Sequence, residues 1–275
     1  MPGSSKLAAA DPFRGLDYLP EPDYAQPLRG LTPAIAERVR RRVAFLYGEE
    51  RADTVTRHVD RLVRVQDAYA TPGIRAAEAA FVPRDRFSEK DAVLITYGDL
   101  VVSEGRTPLR TLSDFAFVFF RGLVTTVHVL PFFPSSSDRG FSVMAYEEVD
   151  PKLGSWEEIA RLGRGFRLMF DGVFNHISAR SRRFQRFLAG DPEFERFFRV
   201  FSSREEIDED RLKLVLRPRT SDLLNEFATV DGPRWLWTTF SRDQIDLNFR
   251  HPRVLLDVLE ILLYYVRRGA DLVRL

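Results

Sequence analysis

The chain has 275 residues, of which 44% are hydrophobic, so it can bury a sizeable core in one large domain or two small ones. Its 41 basic and 40 acidic side chains leave a net charge of +1, which gives no reason to expect nucleic acid or an anionic membrane as a partner. There is no cysteine, which excludes disulfides and thiolate metal sites. Residues 1–14 lack the apolar core of a signal peptide, and the longest apolar run, 261–266, is too short to span a bilayer. We therefore expect a cytoplasmic protein.

The first 90 residues divide into an arm and a helical segment. Residues 1–32 are rich in Pro, Gly and Ala, which predicts a flexible arm. Apolar residues then recur every three to four positions: Ile35, Val39, Val43, Leu46, Val55, Val59 and Leu62. This spacing predicts two or three amphipathic helices between residue 33 and about residue 70. We assign residues 33–90 to a helical segment separate from the rest of the chain.

From residue 91 onward, short apolar stretches alternate with helical patterns. Strands are predicted at 92–96, 127–130, 166–170 and 271–275. The first helical stripe consists of Leu112, Phe115, Ala116, Phe119 and Leu123. The pattern then breaks at about 177–250, a long insertion with aromatic clusters.

Two further helices complete the alternation. Ser155 and Glu158 form a capping-box pattern that opens one of them. The other is predicted to end at Gly269 and to present one apolar face: Leu255, Val258, Leu259, Leu262, Leu263 and Val266. Repeated β/α units imply a parallel sheet with right-handed crossovers. No Gly-rich phosphate loop is present, so a barrel fits better than the doubly wound dinucleotide fold.

Polar residues follow the third predicted strand where it ends. Asp171 closes the strand, and Asn175 and His176 come next in the chain. A parallel β/α barrel places catalytic groups at such strand ends. On these residues alone, a core strand followed by a polar turn is an equally good interpretation.

Several further stretches stand out as motifs: 94–99 (LITYGD), 128–134 (HVLPFFP), 138–141 (DRGF), 149–156 (VDPKLGSW), 171–178 (DGVFNHIS), 237–240 (WTTF), 244–248 (QIDLN) and 269–275 (GADLVRL). Together they resemble the α-amylase superfamily, glycoside hydrolase family thirteen, and within it the sucrose phosphorylase group. The helical N-terminal segment and 138–143 (DRGFSV) look more like relatives acting on glucosylglycerate or sucrose phosphate. The resemblance implies an α/β fold: the N-terminal half of a (β/α)8 barrel, with four strands, over residues 91–275.

The resemblance also implies a reaction. Members of this group cleave an α-glucoside by double displacement with retention: a carboxylate attacks the anomeric carbon and a carboxylic acid protonates the leaving oxygen. Inorganic phosphate then resolves the glucosyl ester and releases α-glucose 1-phosphate. The expected partners are a small α-glucoside and phosphate, with no cofactor and no metal.

The substrate site that the resemblance implies has seven members: Asp138, Phe141, Asp171, His176, Phe240, Gln244 and Arg274. Asp138 and His176 would hold hydroxyls of the glucose in the donor pocket. Phe141 would give that sugar an apolar platform. These roles follow from the motif positions and not from spacing or composition.

The remaining members have supporting roles in the resemblance. Asp171 would lie close to the pocket, and Gln244 would line the acceptor side near Phe240. Arg274 matches the arginine that precedes the nucleophile by two residues, so the nucleophile is expected just after Leu275. No catalytic carboxylate of the family falls within the 275 residues. We therefore expect this polypeptide by itself to be inactive, and its last strand to offer an open edge for self-association.

Several alternatives stay open. Hydrolysis or transglycosylation by an amylase-like enzyme differs only in what resolves the ester, and a non-catalytic truncated remnant is a third possibility. Asn175 could ligate calcium, but nothing in the sequence completes an oxygen cage. His128 has apolar neighbours and is expected to be a hydrogen-bonded core residue. The sequence does not identify the acceptor.

Overall fold

Helices form the first part of the structure. The computed structural model describes residues 13–83, 86–217 and 219–275. The helices before the first strand are α1 (Pro33–Tyr47), α2 (Glu49–Ala68) and α3 (Pro72–Ala80). Thr32 and Thr71 cap α1 and α3 with their side chains, and each of these helices starts with proline, which costs no hydrogen bond at the first position. The spacing predicted helices up to about residue 70, so α3 is an additional helix within the helical segment assigned to 33–90.

The arm is predicted to be flexible, and its described part, 13–32, runs along α2. The Leu19 amide donates to the Tyr69 carbonyl and the Asp23 amide to the Ala68 carbonyl, both at 2.8 Å. Arg29 pairs with the buried Asp67 at 2.6 Å. Residues 1–12 lie outside the described part of the chain. Flexibility of the arm stays a prediction.

A four-stranded parallel sheet is the centre of the structure. Its strands are β1 (Val93–Thr96), β2 (Thr126–Val129), β3 (Arg167–Asp171) and, after the insertion, β9 (Ala270–Arg274). They lie in the order β1-β2-β3-β9, and every neighbouring pair is parallel. The helices α4 (Pro108–Phe119), α5 (Trp156–Gly163) and α8 (Pro252–Arg267) each precede the next strand of the sheet. The predicted α/β fold with four barrel strands is confirmed.

The strands differ in burial because only some are covered on both faces. Every residue of β2 is buried, as expected for a strand inside a parallel sheet. β1 is the edge strand, and its Val93 and Ile95 are 50% and 60% exposed. The alternating β/α pattern therefore located the strands correctly, although it could not show which of them is central.

Two helical predictions need correction and one is confirmed. Ser155 and Glu158 form the expected capping box of α5. α4 ends at Phe119, and Leu123, which we predicted in its stripe, lies beyond the helix with 71% of its surface exposed. The chain turns instead at Gly122, whose φ of 82° no helix can continue.

The buried side of α8 also differs from the predicted one. The fully buried positions are Val254, Val258, Ile261 and Tyr265, and only Val258 belongs to the predicted face. α8 is apolar over most of its circumference, so its sequence does not identify one face. The aromatic ring of Tyr265 decides the orientation, because it stacks on Phe133 with centroids 5.0 Å apart. Leu255 points the other way and packs on the core of α1 and α2.

The N-terminal helices therefore pack against α8, the helix that precedes β9. The Tyr47 hydroxyl donates to the Phe249 carbonyl at 3.0 Å. Near the other end of α8, Arg267 donates to the Gln66 side chain at 2.7 Å and lies over the Tyr69 ring at 4.5 Å. The domain boundaries at 32 and 90 stay predictions.

The insertion forms two small antiparallel sheets. β4 (His176–Ser178) pairs with β8 (Gln244–Asp246). The second sheet has the order β5-β7-β6 and consists of β5 (Val200–Phe201), β6 (Leu224–Thr229) and β7 (Gly232–Trp237). α6 (Arg182–Leu188) lies between β4 and β5 and connects the two sheets, whereas α7 (Glu209–Lys213) lies between β5 and β6. The β4–β8 pair joins both ends of the insertion next to the carboxyl end of β3.

No helix among the described residues combines the length and the apolarity that crossing a membrane requires.

Two buried tyrosines should respond oppositely to loss of the hydroxyl. The Tyr146 hydroxyl donates to the carbonyls of Val173 (2.8 Å) and His176 (3.0 Å), whereas no partner among the described residues lies within hydrogen-bonding reach of the Tyr265 hydroxyl. Tyr146→Phe should destabilise the fold by about 1–3 kcal/mol, because it leaves buried acceptors unsatisfied. Tyr265→Phe should be neutral or stabilise by up to about 1 kcal/mol, because it removes a desolvated donor. Urea unfolding of both variants tests this, and equal destabilisation would contradict it.

Candidate functional site

A strained turn after β2 presents the first candidate residue. The short 3-10 turn Asp138–Gly140 follows the buried Phe132 and Phe133. Asp138 and Arg139 have φ values of 55° and 49°, and Gly140 has 104°. A Cβ on Gly140 would lie 2.4 Å from the Pro131 carbonyl oxygen, so only glycine fits there. The turn leaves the Asp138 side chain 39% exposed at the carboxyl edge of the sheet.

The insertion brings a second candidate to the same place. In the β4–β8 pair, His176 lies opposite Asp246 and Ser178 opposite Gln244. The buried Gln244 amide donates to Asp138 Oδ2 at 3.0 Å. Its nitrogen is also 3.2 Å from His176 Nε2. One amide nitrogen therefore contacts residues that lie 38 positions apart in the chain, Asp138 and His176.

His176 is held as a neutral, buried imidazole. Its Nε2 lies 2.9 Å from the Phe141 carbonyl oxygen, which can only accept, so Nε2 carries the proton. Burial lowers the pKa of His176, against the opposing effects of the Phe141 carbonyl and the charges of Asp246 and Asp138. His176 therefore acts as a fixed hydrogen-bonding group near neutral pH.

Asp171 forms a second group with two basic side chains from its neighbouring strands. Its Oδ2 accepts from His128 Nε2 at 2.8 Å, and its Oδ1 forms an ion pair with the Arg274 guanidinium at 3.2 Å. Asp171 and His128 are 4% and 1% exposed, but the Arg274 side chain is 54% exposed. The buried Asp171–His128 pair therefore holds one side of the Arg274 guanidinium. The other N–H groups of Arg274 remain accessible at the end of β9.

The seven predicted site residues fall into two sets of contacts. The Gln244 amide donates to Asp138, and its nitrogen and the Phe141 carbonyl oxygen both lie beside His176 Nε2. The ring centroids of Phe240 and His176 are 4.9 Å apart. Asp171 and Arg274 form the other set. Gln244 thus contacts Asp138 and His176, and its expected place on the acceptor side stays a prediction. That these seven residues bind substrate stays a prediction.

Three residues of the site were not singled out from the sequence. His128, expected to be a hydrogen-bonded core residue, has Asp171 as its partner. Asp246 accepts from the amide and hydroxyl of Thr239 at 2.8 and 2.6 Å. Asp243 accepts from a cluster of serine hydroxyls on the loop that bears Asp138. Asp246 belongs to the motif 244–248, but the sequence analysis assigned it no role, and Asp243 lies outside the motifs; the β4–β8 pairing brings both to the site.

The described residues contain no group of three or more His, Asp or Glu side chains arranged to hold a metal ion. Asn175, the one residue we considered for calcium, instead donates to Asp246 at 3.2 Å. Its amide therefore supports the β4–β8 pair.

Comparison with known proteins identifies the family to which the chain belongs. The model of the alpha-amylase catalytic domain matches residues 121–275, and the chain belongs to that family. A glucosylglycerate phosphorylase of Allomeiothermus silvanus is 44% identical over 248 residues, covering 90% of this chain and 41% of the relative. One from Spirochaeta thermophila is 43% identical over 239 residues, covering 87% and 39%.

A solved structure agrees with the family match and with the two relatives. Sucrose 6F-phosphate phosphorylase from Thermoanaerobacter thermosaccharolyticum superposes with a TM-score of 0.61 at 31% identity, over 69% of this chain and 40% of that one. The relatives are thus glycoside phosphorylases of the amylase family, as the sequence motifs predicted. The chain spans about 40% of the length of the curated relatives it matches.

His176→Gln should weaken the loss of stability on acidification. The pKa of His176 is lowered in the folded state, so the unfolded chain binds more protons once the pH falls below the ordinary histidine value of about 6.5. The stability that neutral His176 contributes is present above that pH and is lost as the pH falls towards its folded-state pKa. Urea unfolding at several pH values between 7.5 and 5 measures the slope.

The exposed His58→Gln provides the matched control for replacing a histidine by glutamine. His251, whose pKa burial also lowers, is present in both variants and cancels in the comparison. If His176→Gln and the original chain lose stability with the same slope, His176 is not held neutral by burial.

Proposed function

We propose that the protein that contains these residues is a retaining glycoside phosphorylase. It cleaves an α-glucoside with inorganic phosphate and releases α-glucose 1-phosphate. The observation that carries this proposal is the meeting of Asp138, His176 and Gln244 at the carboxyl edge of the parallel sheet, where barrel enzymes bind substrate. The named activities of the relatives support it.

Under this proposal, the described residues bind and orient the glucosyl donor. The Asp138 carboxylate accepts hydrogen bonds from sugar hydroxyls, and it is accessible enough to do so. Gln244 and the Phe141 carbonyl fix the positions of Asp138 and His176, so the pocket is formed before substrate binds. Such preorganisation lowers the entropic cost of placing the anomeric carbon for attack.

Arg274 orients the nucleophile in this scheme. Asp171 holds its guanidinium on one side, and the exposed part has donors left for a second carboxylate. The resemblance places that nucleophile two residues further along the same strand. Positions two apart on a strand share a face, so Arg274 and the nucleophile would point into the same pocket.

The most specific form of the proposal is phosphorolysis of glucosylglycerate, because two relatives with that name match about nine-tenths of the chain. Sucrose phosphate and sucrose are the next candidates. Amylase-like hydrolysis or transglycosylation is the competing activity, since the family match itself extends to hydrolases. Cytoplasmic location and self-association through the outer edge of β9 stay predictions.

Phosphate dependence separates the two activities. We would join this chain to the C-terminal part of the Allomeiothermus silvanus relative, which it matches at 44% identity. The chimera should release α-glucose 1-phosphate from glucosylglycerate, faster than from sucrose phosphate or sucrose, and only when phosphate is present. Free glucose released equally fast without phosphate would establish the hydrolase. The 275-residue polypeptide alone is the comparison and should give no turnover, because the resemblance assigns neither nucleophile nor acid to it.

Asp138→Asn should lower kcat/KM of the chimera by roughly 10- to 100-fold, the size expected for losing a charged hydrogen bond to substrate. Asp231→Asn is the matched control, because Asp231 is exposed at the turn between β6 and β7. Thermal unfolding should show both variants folded. Equal kcat/KM for Asp138→Asn and the control would remove Asp138 from the substrate site.

A further inference from the structure

We propose that Asp243 is a positioning residue that holds the turn Asp138–Gly140 in its binding geometry. The inference rests on the proposed function only in naming the glucosyl group as the ligand of Asp138. It concerns a residue that the sequence motifs left out, which lies in the insertion directly before β8.

One carboxylate oxygen of Asp243 accepts hydrogen bonds from both sides of the turn. Oδ2 accepts from the hydroxyls of Ser136, at 2.5 Å, and Ser137, which precede the turn. The same oxygen accepts from Ser142, at 2.8 Å, which comes after it. A second contact, at 3.0 Å, joins the Ser142 hydroxyl to the Asp243 carbonyl. The two ends of the turn are thus tied to a single group more than 100 positions away in the sequence.

The turn needs such support because its backbone is strained. Asp138 and Arg139 are in the left-handed region, with φ of 55° and 49°, and Arg139 has no short polar side chain to favour it there. Residues in sparsely populated conformations persist only when their surroundings determine them. Hydrogen bonds to a charged acceptor are the strong kind, so the serine contacts to Asp243 are suited to this role.

Asp243 also contacts the strand that carries His176. Its carbonyl accepts from the Ala179 amide at 2.9 Å, directly after β4. The Ser136 hydroxyl, which Asp243 binds, lies 2.5 Å from the hydroxyl of the fully buried Ser178 in β4. The turn and β4 are therefore joined through Asp243 and Ser136.

Adjacent residues act on Asp138 in different ways. Asp243 fixes the backbone of its turn, and Gln244 binds its carboxylate at 3.0 Å. The same turn sets the position of the Phe141 carbonyl, which accepts from His176. Loss of the Asp243 carboxylate should therefore change the surroundings of His176, which a purely local surface contact would not do.

Nuclear magnetic resonance and hydrogen exchange of the 275-residue chain test this without any activity. The chain has 4 histidines, so nitrogen-15 side-chain spectra resolve His176. In Asp243→Ala, the His176 signals should shift, because the Phe141 carbonyl is released. The Ser142 and Met144 amides, which bond to Ser137 and Pro134, should exchange at least about tenfold faster. Asp243→Asn keeps one acceptor oxygen and should give a smaller effect in the same direction, which also provides a second variant if the alanine protein does not fold.

Asp231→Ala is the control and should change neither His176 nor these amides. The signals of His128, bound to Asp171 in the sheet, should be unchanged in every variant. Unchanged His176 signals in both Asp243 variants would overturn the proposal. Faster exchange throughout β2 and β3 would also overturn it, because that is the result of a general loss of stability.

In the active chimera, Asp243→Asn should lower kcat/KM about tenfold, and much less when Asp138 is already Asn, since the two act as one unit. Additive losses would mean that Asp243 does not act through Asp138. A chimera that releases no α-glucose 1-phosphate would refute the proposed function while the His176 signals still decide the role of Asp243.

Discussion

Parallel pairing of β1, β2, β3 and β9 is the constraint on which the site depends. Because all four strands run in the same direction, their carboxyl ends meet at one edge of the sheet. Asp171 and Arg274 occupy paired positions at this edge, and the turn bearing Asp138 leaves the end of β2 close by. β2 is buried throughout and β3 at three of its five positions, which leaves few ways for these strands to shift. The side chains at their ends are therefore held by a rigid base.

The insertion completes this edge and does not form an independent unit. The β4–β8 pair connects its beginning and its end, so Gln244 reaches Asp138 although the two are 106 positions apart. The hydrogen bond from Gln244 also holds the exposed Asp138 carboxylate in one orientation before substrate binds. The strained turn, the serine cluster and the insertion thus form one connected polar network over an aromatic core that includes Phe133, Phe174 and Tyr265.

Two buried histidines show how environment separates similar residues. His128 donates to the carboxylate of Asp171 and belongs to an ion-pair group that ends in Arg274. His176 donates to a backbone carbonyl, and burial lowers its pKa. His128 helps to orient the carboxylate of Asp171, and His176 supplies a neutral imidazole beside the candidate donor pocket. Their sequence contexts, HVLP and NHIS, do not reveal this difference.

The sequence by itself determined the strands of the sheet, the capping box of α5, the family and the candidate residues, because strand burial, helix capping and family motifs are local patterns. Gly122 ended α4 earlier than its apolar stripe indicated, and Tyr265 turned α8 away from the face that its leucines suggested. Only the tertiary structure decided where α4 ends and which face of α8 is buried. For a helix that is apolar nearly all round, packing against its neighbours determines the buried face, and the sequence pattern does not. The tertiary structure alone brought Gln244, Asp243 and Asp246 to the strand ends, because contacts across 70 to 107 residues depend on β4 pairing with β8, and no local pattern encodes that pairing.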